Sequence, residues 1–208
     1  MHDLPNFDYL LIKTKTVLEQ LVRDAPFLKN YVLVGGSALA LYLCHRQSED
    51  LDFFTYDNTF NKQAIFDILK YFKQADIIND NKDQIDLILD GVKVTFFNAQ
   101  WEFLTPVQTN TLNIASLENI AAMKVNTLFL RAKYRDYYDL YSLSKAGMDL
   151  QEMFIAVQKV IEGINFKLFC IALLYIDDVE DDNIDYLSPK EIISKKQIRT
   201  FFEKQMQD

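Results

Sequence analysis

Residues 35–54 read Gly-Gly-Ser-Ala-Leu-Ala-Leu-Tyr-Leu-Cys-His-Arg-Gln-Ser-Glu-Asp-Leu-Asp-Phe-Phe, and this stretch decides the fold of the first half of the chain. It opens with the small residues 35–37, which follow an apolar run at 31–34 and precede another at 38–43. The first run is typical of a buried strand, and the second predicts a helix. The stretch ends in a second short strand. This order of strand, turn, helix and strand predicts an α/β unit.

The turn and the second strand carry groups that phosphate chemistry uses. A helix N-terminus exposes N–H groups, so Gly35, Gly36 and Ser37 are predicted to cradle a phosphate, with the Ser37 hydroxyl bonded to it. Asp50 and Asp52 sit two apart in the strand, which points both carboxylates to one face where they can share Mg²⁺. A phosphate cradle just before such a pair is the layout of a nucleotidyl-transfer site. A polar turn or cap is the alternative interpretation of the pair.

Two further polar residues follow the predicted helix. Arg46 can clamp a phosphate or orient Asp50 through a bidentate pair. His45 has no Cys or His partner at a metal-ligand spacing, so we interpret it as a helix-end residue.

The composition is typical of a globular protein with a sizeable core, because 50% of the 208 residues are hydrophobic and 25% are charged. No apolar run approaches the roughly 20 residues of a membrane-spanning helix. The N-terminus lacks the pattern of a secretory signal. Cys44 and Cys170 lie in apolar helical contexts without metal spacing and are predicted to be free thiols. These features predict a cytoplasmic protein without membrane contact.

The net charge of −8 disfavours a general nucleic-acid binder, because affinity for the phosphate backbone comes mostly from Lys and Arg. It leaves room for an enzyme with one local basic patch.

The remaining pattern predicts two domains, 1–110 and 111–208. The first begins with a helix near 7–23, and it includes a helix capped by Asn58 or Thr59 and a hairpin turning at Asp90-Gly91. After a loop around Pro106 the pattern is helical only, with predicted helices at 116–131, 134–146, 149–162, 166–175 and 188–206.

A second group of polar residues lies in the helical half. Lys124, Arg131 and Arg135 would share one stripe if a single helix carried all three. Asp136 and Asp139 fall on an adjacent face, and an ion pair between Arg135 and Asp139 is the default interpretation. Lys124 stands in the apolar run Ile-Ala-Ala-Met-Lys-Val, where an ammonium needs an anionic partner such as a triphosphate or an aspartate pair.

These motifs together resemble a known family. Gly-Gly-Ser, His-Arg-x-Ser-x-Asp-Leu-Asp-Phe-Phe, Ala-Met-Lys and Arg-Asp-x-x-Asp-Leu occur in this order within residues 30–145. They resemble the AbiEii-type nucleotidyltransferases of the polymerase-β-like superfamily, some of which are toxins of abortive-infection or toxin–antitoxin systems. The resemblance implies a minimal mixed-sheet nucleotidyltransferase domain followed by a helical bundle. It also implies Mg²⁺, a nucleoside triphosphate donor, an RNA (tRNA in some relatives) or protein acceptor, and an antitoxin partner.

The resemblance also implies roles for individual residues. Ser37, Asp50 and Asp52 would hold phosphate and metal, Lys124 would contact the triphosphate, and Asp136 would be the acidic residue of the Arg-Asp motif. We add Arg46, Arg131 and Arg135 as candidate auxiliary cations.

One position departs from the family pattern. Thr95 stands where the family commonly has a third carboxylate, and a hydroxyl is a poor Mg²⁺ ligand. Asp86 or Asp90 could substitute, although nothing in the sequence shows that either reaches the metal. Three hypotheses therefore stay open: an enzyme with two acidic ligands, an inactive nucleotide-binding or protein-interaction module, and a helical interaction protein whose Gly-Gly-Ser is only a packing turn.

Overall fold

The computed structural model of the chain describes residues 7–55, 60–99, 101, 104–180 and 184–207. The chain divides into two compact units, Met1–Ser116 and Leu117–Asp208. In the described residues the first unit contains the sheet and the second is helical. This arrangement confirms the prediction of a mixed-sheet α/β domain followed by helices.

The described strands of the first unit form one mixed sheet in the order β3-β4-β5-β2-β1-β7-β6. The pairs β2/β5 and β1/β7 are parallel and the other pairs are antiparallel. The strands are β1 Tyr31–Val34, β2 Leu51–Thr55, β3 Ala75–Asp80, β4 Gln84–Leu89, β5 Val92–Asn98, β6 Pro106–Gln108 and β7 Asn113–Ala115.

The central strands differ in how deeply their side chains are buried. All four residues of β1 are buried, as expected for an apolar strand at the centre of a sheet. In β2 burial alternates, and Leu51, Phe53 and Thr55 are buried while Asp52 and Phe54 are half-buried. Because successive side chains of a strand point to opposite faces, Asp52 and Phe54 share one face, on which their neighbours Val34 and Thr95 are buried.

Three described helices belong to the first unit: α1 Ile12–Asp24, α2 Gly35–Leu43 and α3 Lys62–Asp67. α1 starts later than predicted, because the residues before it form a short 3₁₀ helix and a bridge to the chain near Ser48. The predicted caps of α3, Asn58 and Thr59, lie outside the described residues, and Asn61 caps the helix instead. α3 ends at Asp67, before the predicted end at Lys73, and a 3₁₀ turn at Leu69–Tyr71 follows it.

The second unit contains the described helices α4 Leu117–Arg131, α5 Tyr134–Lys145, α6 Leu150–Val157, α7 Phe166–Leu174 and α8 Lys195–Gln205. Its core includes the fully buried rings of Tyr137, Phe169 and Phe202. α8 does not begin at 188 as predicted, because Ser194 and Gln197 form a reciprocal capping box that fixes the helix start. None of the described helices is long and apolar enough to cross a membrane.

Candidate functional site

The start of α2 lies against Asp52, the second of the two aspartates predicted to bind metal. Gly35 has φ 70°, a left-handed conformation that lets β1 pass directly into α2. A Cβ atom on Gly35 would lie 3.0 Å from Oδ2 of Asp52. Two features therefore require glycine at position 35: its backbone conformation and the closeness of the neighbouring carboxylate. The Asp52 carboxylate consequently lies beside the N-terminus of α2.

Arg46 is buried next to the same helix start. It is 2% exposed, and a Cβ atom on Gly36 would lie 2.8 Å from its Nη2 and 3.2 Å from Oγ of Ser48. Nη1 of Arg46 donates to the carbonyl of Gln47 at 2.8 Å. The guanidinium thus adds positive charge near the positive end of the α2 dipole.

Ser37 connects α2 to the predicted metal ligands in an unexpected way. Its side chain is 2% exposed, and its hydroxyl donates to the backbone carbonyl of Asp50. The hydroxyl proton is thus used in a structural bond, whereas the sequence predicted a bond to phosphate. In the described residues no side chain caps α2, so its first-turn N–H groups are the donors suited to an anion.

Asp50 and Asp52 occupy different local structures. Asp52 lies in β2 opposite Val34, whereas Asp50 precedes the strand, which begins at Leu51. The prediction that Asp50 lies within the strand is therefore wrong. The reason is that the chain just before it pairs elsewhere, since Ser48 exchanges backbone hydrogen bonds with Tyr9 and Leu11. Both residues are half-buried.

The donor set at this position fits Mg²⁺. Among the described residues, no group of three or more His, Cys, Asp or Glu side chains is arranged to hold a metal. Mg²⁺ does not need such a group, because it commonly takes one or two carboxylates together with substrate phosphates and waters. Asp50 and Asp52 supply hard oxygen ligands, and the missing side chain at Gly35 lets Oδ2 of Asp52 approach the helix start.

A row of polar side chains continues from Asp52 across the same face of the sheet, and its members Thr95 and Asp86 are buried. Asp52 pairs with Thr95 across β2 and β5, and Thr95 pairs with Asp86 across β5 and β4. Oγ1 of Thr95 donates to Oδ1 of Asp86 at 2.8 Å. Nε2 of Gln84 lies 2.9 Å from both carboxylate oxygens, and Nδ2 of Asn79 donates to Oδ2 at 3.2 Å. Asp86 is thus a buried acceptor with three side-chain donors.

The environment of Asp86 favours its ionised form. Burial opposes ionisation, but the hydrogen bonds from Gln84, Thr95 and Asn79, together with the charge of Lys93, outweigh it and lower the pKa of Asp86 below its usual value. The carboxylate therefore keeps its negative charge next to Thr95.

The sequence left Asp86 and Asp90 as equal candidates, and the structure separates them. Asp90 is the turn residue, with φ 47°, and its Oδ1 accepts from the backbone of Gln74 at 2.8 Å. A signal for Asp86 was present in the sequence. A two-residue turn at Asp90-Gly91 places Leu89 opposite Val92, and counting back along both strands places Asp86 opposite Thr95.

The second polar group lies in the helical unit. Lys124 of α4 is 8% exposed, and its Nζ lies 2.9 Å from Oδ1 of Asp136 and 2.6 Å from Oδ2 of Asp139. Its anionic partner is thus an aspartate pair on α5, as one of the sequence alternatives proposed. Asp139 thus has Lys124 as a partner, and the default interpretation of an ion pair between Arg135 and Asp139 stays a prediction. The three-cation stripe is wrong, because α4 ends at Arg131 and a new helix carries Arg135.

This cluster has more negative than positive charge in its buried part. Asp136 and Asp139 have side chains that are 1% and 0% exposed, and they share one buried ammonium. Oδ2 of Asp136 accepts no hydrogen bond within the described part of the chain. Nη1 of the mostly exposed Arg131 lies 4.0 Å from that oxygen. The cluster can therefore accept one more donor or cation at Asp136.

Comparison with known proteins places the chain in a family. The model of the family described as nucleotidyl transferase AbiEii toxin, type IV TA system, matches residues 16–103 and 97–208. Protein aq_aa25 of Aquifex aeolicus (strain VF5) is 32% identical over 165 residues, which is 77% of this chain and 80% of the relative.

Two solved structures share the fold. JHP933 from Helicobacter pylori aligns with a TM-score of 0.56 and 19% identity over 95% of this chain and 97% of its own. MenT4, a nucleotidyltransferase toxin from Mycobacterium tuberculosis H37Rv, aligns with a TM-score of 0.57 and 14% identity over 91% of this chain and 82% of its own. With its motifs, its mixed sheet and both matched segments, the chain belongs to the AbiEii family of nucleotidyl transferase toxins.

Proposed function

We propose that the protein is a Mg²⁺-dependent nucleotidyltransferase that moves a nucleoside monophosphate from a nucleoside triphosphate to an acceptor hydroxyl. The observation that carries this proposal is the contact of the Asp52 carboxylate with Gly35 at the N-terminus of α2. A metal-binding carboxylate and a helix N-terminus at one point suit a ligand that is both a polyphosphate and a metal chelator.

The residues of the first unit have separate roles in this proposal. The first-turn N–H groups of α2, at Gly36 and Ser37, hold phosphate oxygens, and Arg46 adds positive charge behind them. Asp50 and Asp52 hold Mg²⁺, which when bound neutralises charge on the phosphates and activates the attacking oxygen. The acceptor oxygen bonds to the α-phosphorus, the bond to the β-phosphate breaks, pyrophosphate leaves, and the acceptor proton passes to solvent.

The helical unit contributes a second set of residues. We assign Lys124 a contact with the triphosphate, with Asp136 as its positioning partner, and Arg131 and Arg135 as auxiliary cations. The two short ion pairs of Lys124 support a fixed position of its ammonium. The open acceptor on Asp136 supports a further contact when substrate is bound.

We further propose that the acceptor is the 3′ end of an RNA and that the activity is that of a toxin neutralised by an antitoxin protein. The family supports the toxin role. The net charge of −8 favours a local contact with an RNA end over an extended RNA interface.

The test is transfer of label from each of the four α-labelled nucleoside triphosphates to total RNA or total protein, with Mg²⁺. We expect the wild type to label RNA. Asp52→Asn should lower the rate of labelling more than about 100-fold, which exceeds the loss usual when a residue that only supports a metal ligand is replaced. Asp67→Asn, an exposed aspartate of α3, is the matched control and should keep full activity. Equal labelling by wild type and Asp52→Asn would contradict the proposal.

Thr95 favours one alternative, a nucleotide-binding module without turnover. Under that alternative, calorimetry would detect binding of a nucleoside triphosphate while no label is transferred to any acceptor. Label on protein but not on RNA would support the nucleotidyltransferase activity and would show that the acceptor is a protein.

A further inference from the structure

We propose that the exposed side of α7 is the contact surface of a homodimer, in which α7 of one copy packs antiparallel against α7 of a second copy. The surface is a stripe of exposed side chains, which we call the α7 stripe: Lys167, Leu168, Ile171, Tyr175 and Asp178. An interface of this kind would form whether or not the chain transfers nucleotides.

α7 is apolar on both of its sides. Its sequence, Phe-Lys-Leu-Phe-Cys-Ile-Ala-Leu-Leu, contains one charged residue. One side belongs to the core of the helical unit, where Phe169, Ala172 and Leu173 are buried. A helix that is apolar all round is normally buried all round. The exposed side of α7 is therefore explained by a partner that covers it.

The centre of the α7 stripe is a continuous apolar patch. Leu168, Ile171 and Tyr175 are 46%, 51% and 52% exposed, and their spacing of three and four residues places them on one side of the helix. Half of three large side chains amounts to roughly 300 Å² of apolar surface. A patch of this size suits the centre of a small interface, to which a polar rim adds the remaining area.

The two ends of the α7 stripe carry opposite charges. Lys167 lies in the first turn of α7, four residues before Ile171 and on the same side. Asp178 ends the 3₁₀ turn Tyr175–Asp178, in which side chains three residues apart eclipse each other, so it lies on the side of Tyr175. The helix dipole favours the reverse order of charges, with the anion at the N-terminus. Contacts outside the chain account for this order.

The symmetry of the α7 stripe identifies the partner as a second copy. Lys167 and Asp178 are equally far in sequence from the midpoint between Ala172 and Leu173. A two-fold axis at this midpoint places Lys167 of each copy opposite Asp178 of the other, while the apolar centres meet. A parallel arrangement would place like charges together. The stripe is therefore complementary to itself in the antiparallel direction.

The experiment measures the mass of the full chain in solution. Sedimentation equilibrium covers about 1 to 300 µM, because an interface below standard size gives micromolar or weaker affinity. A salt concentration of about 0.15 M screens the repulsion between two copies, each of net charge −8. We expect the 24.3 kDa chain to form a species of twice its mass reversibly. The dissociation constant should be about 1–100 µM.

The first variants test the apolar centre of the α7 stripe. Ile171→Ser should raise the dissociation constant about 30-fold, because each dimer loses two apolar side chains from its centre. Ile12→Ser makes the same exchange at a residue of α1 that is 85% exposed, and it should leave the dissociation constant unchanged. Urea denaturation of each variant as a dilute monomer checks that the fold is intact.

The second variants test the direction of the two helices. Lys167→Glu and Asp178→Lys should each raise the dissociation constant at least about 10-fold, because each homodimer then contains two pairs of like charges. An equimolar mixture of the two variants should associate as tightly as the wild type, because each variant supplies the charge that the other lacks.

A chain that stays monomeric at the highest concentration would overturn the inference and leave the surface to a different partner. Equal effects of Ile171→Ser and Ile12→Ser would also overturn it, as would a mixture of charge variants that associates no more tightly than either alone. The proposed function fails separately, when no label is transferred from any triphosphate, because sedimentation requires no transfer.

Discussion

The ammonium of Lys124 lies 2.6 Å from Asp139 and 2.9 Å from Asp136, so one cation on α4 joins two buried carboxylates on α5. This arrangement links a residue assigned to catalysis with the stability of the helical unit. Replacing the cation removes the ammonium that both buried carboxylates contact, which is more costly than losing a surface ion pair.

We therefore expect Lys124→Met to lower the free energy of unfolding by about 3–5 kcal/mol in urea denaturation at pH 7. Arg131→Met is the matched control, since its side chain is 59% exposed and lies 4.0 Å from Asp136. Arg131→Met should lower the free energy of unfolding by under about 1 kcal/mol. Equal losses in the two variants would show that the buried ion pairs contribute little.

Gly35→Ala should reduce both stability and triphosphate binding. Gly35 and Gly163 have nearly the same φ, 70° and 73°, but only the Cβ atom at Gly35 would approach a carboxylate, at 3.0 Å. Gly163→Ala therefore measures the backbone strain alone, about 1 kcal/mol. We expect a larger loss for Gly35→Ala in urea denaturation and weaker Mg²⁺-dependent binding in calorimetry. A Gly163→Ala variant as unstable as Gly35→Ala would contradict the contact with Asp52.

Ser37→Ala should mainly affect the position of Asp50. Because the Ser37 hydroxyl donates to the Asp50 carbonyl, its removal leaves the triphosphate with the backbone N–H groups of α2. We expect triphosphate affinity to fall less than about 5-fold, the value of one hydrogen bond, while the metal affinity falls more. Calorimetry with Mn²⁺ and with the triphosphate measures the two separately. A larger loss of triphosphate than of metal affinity would favour the side-chain contact that the sequence predicted.

Asp86→Asn should change the acid dependence of stability. The pKa of Asp86 is lowered in the folded state, so its carboxylate stabilises the fold above the unfolded pKa of about 3.9. That contribution is lost as pH falls through the lower folded pKa. The difference in unfolding free energy between wild type and variant should therefore be largest above pH 5 and shrink towards pH 2. The exposed Asp67→Asn provides the baseline, and an identical pH profile for both variants would contradict the shift.

The part of the fold near residues 31–55 was predictable because its signals are local. An apolar strand, small residues and an apolar helix follow one another without interruption, and tertiary contacts do not override them. β3 was not predicted, because Ala75–Asp80 is mostly exposed and has a register shift between Ile77 and Asn79. β6 and β7 span three residues each, too short for a periodic pattern.

The candidate site was predictable in its residue types and less so in its contacts. The apolar neighbours of Lys124 were enough to predict that its buried ammonium needs an anionic partner. That Asp139 is such a partner depends on how α4 and α5 pack. The proximity of Asp52 and Thr95 depends on parallel pairing of β2 and β5, which no short-range signal encodes. The side-chain bond from Ser37 to Asp50 likewise required the three-dimensional structure.

The two-residue turn at Asp90-Gly91 also limits which insertions the chain can tolerate. With the two-residue turn kept, one residue added between Leu87 and the turn would place Leu87 opposite Thr95, and one added between the turn and Thr95 would place Ile85 there, where Asp86 now lies. Both side chains are fully buried on the other face, so the slip would expose them while turning the carboxylate into the core. A change of strand length between Asp86 and Thr95 is thus opposed by the charge beside Thr95, four residues from the turn.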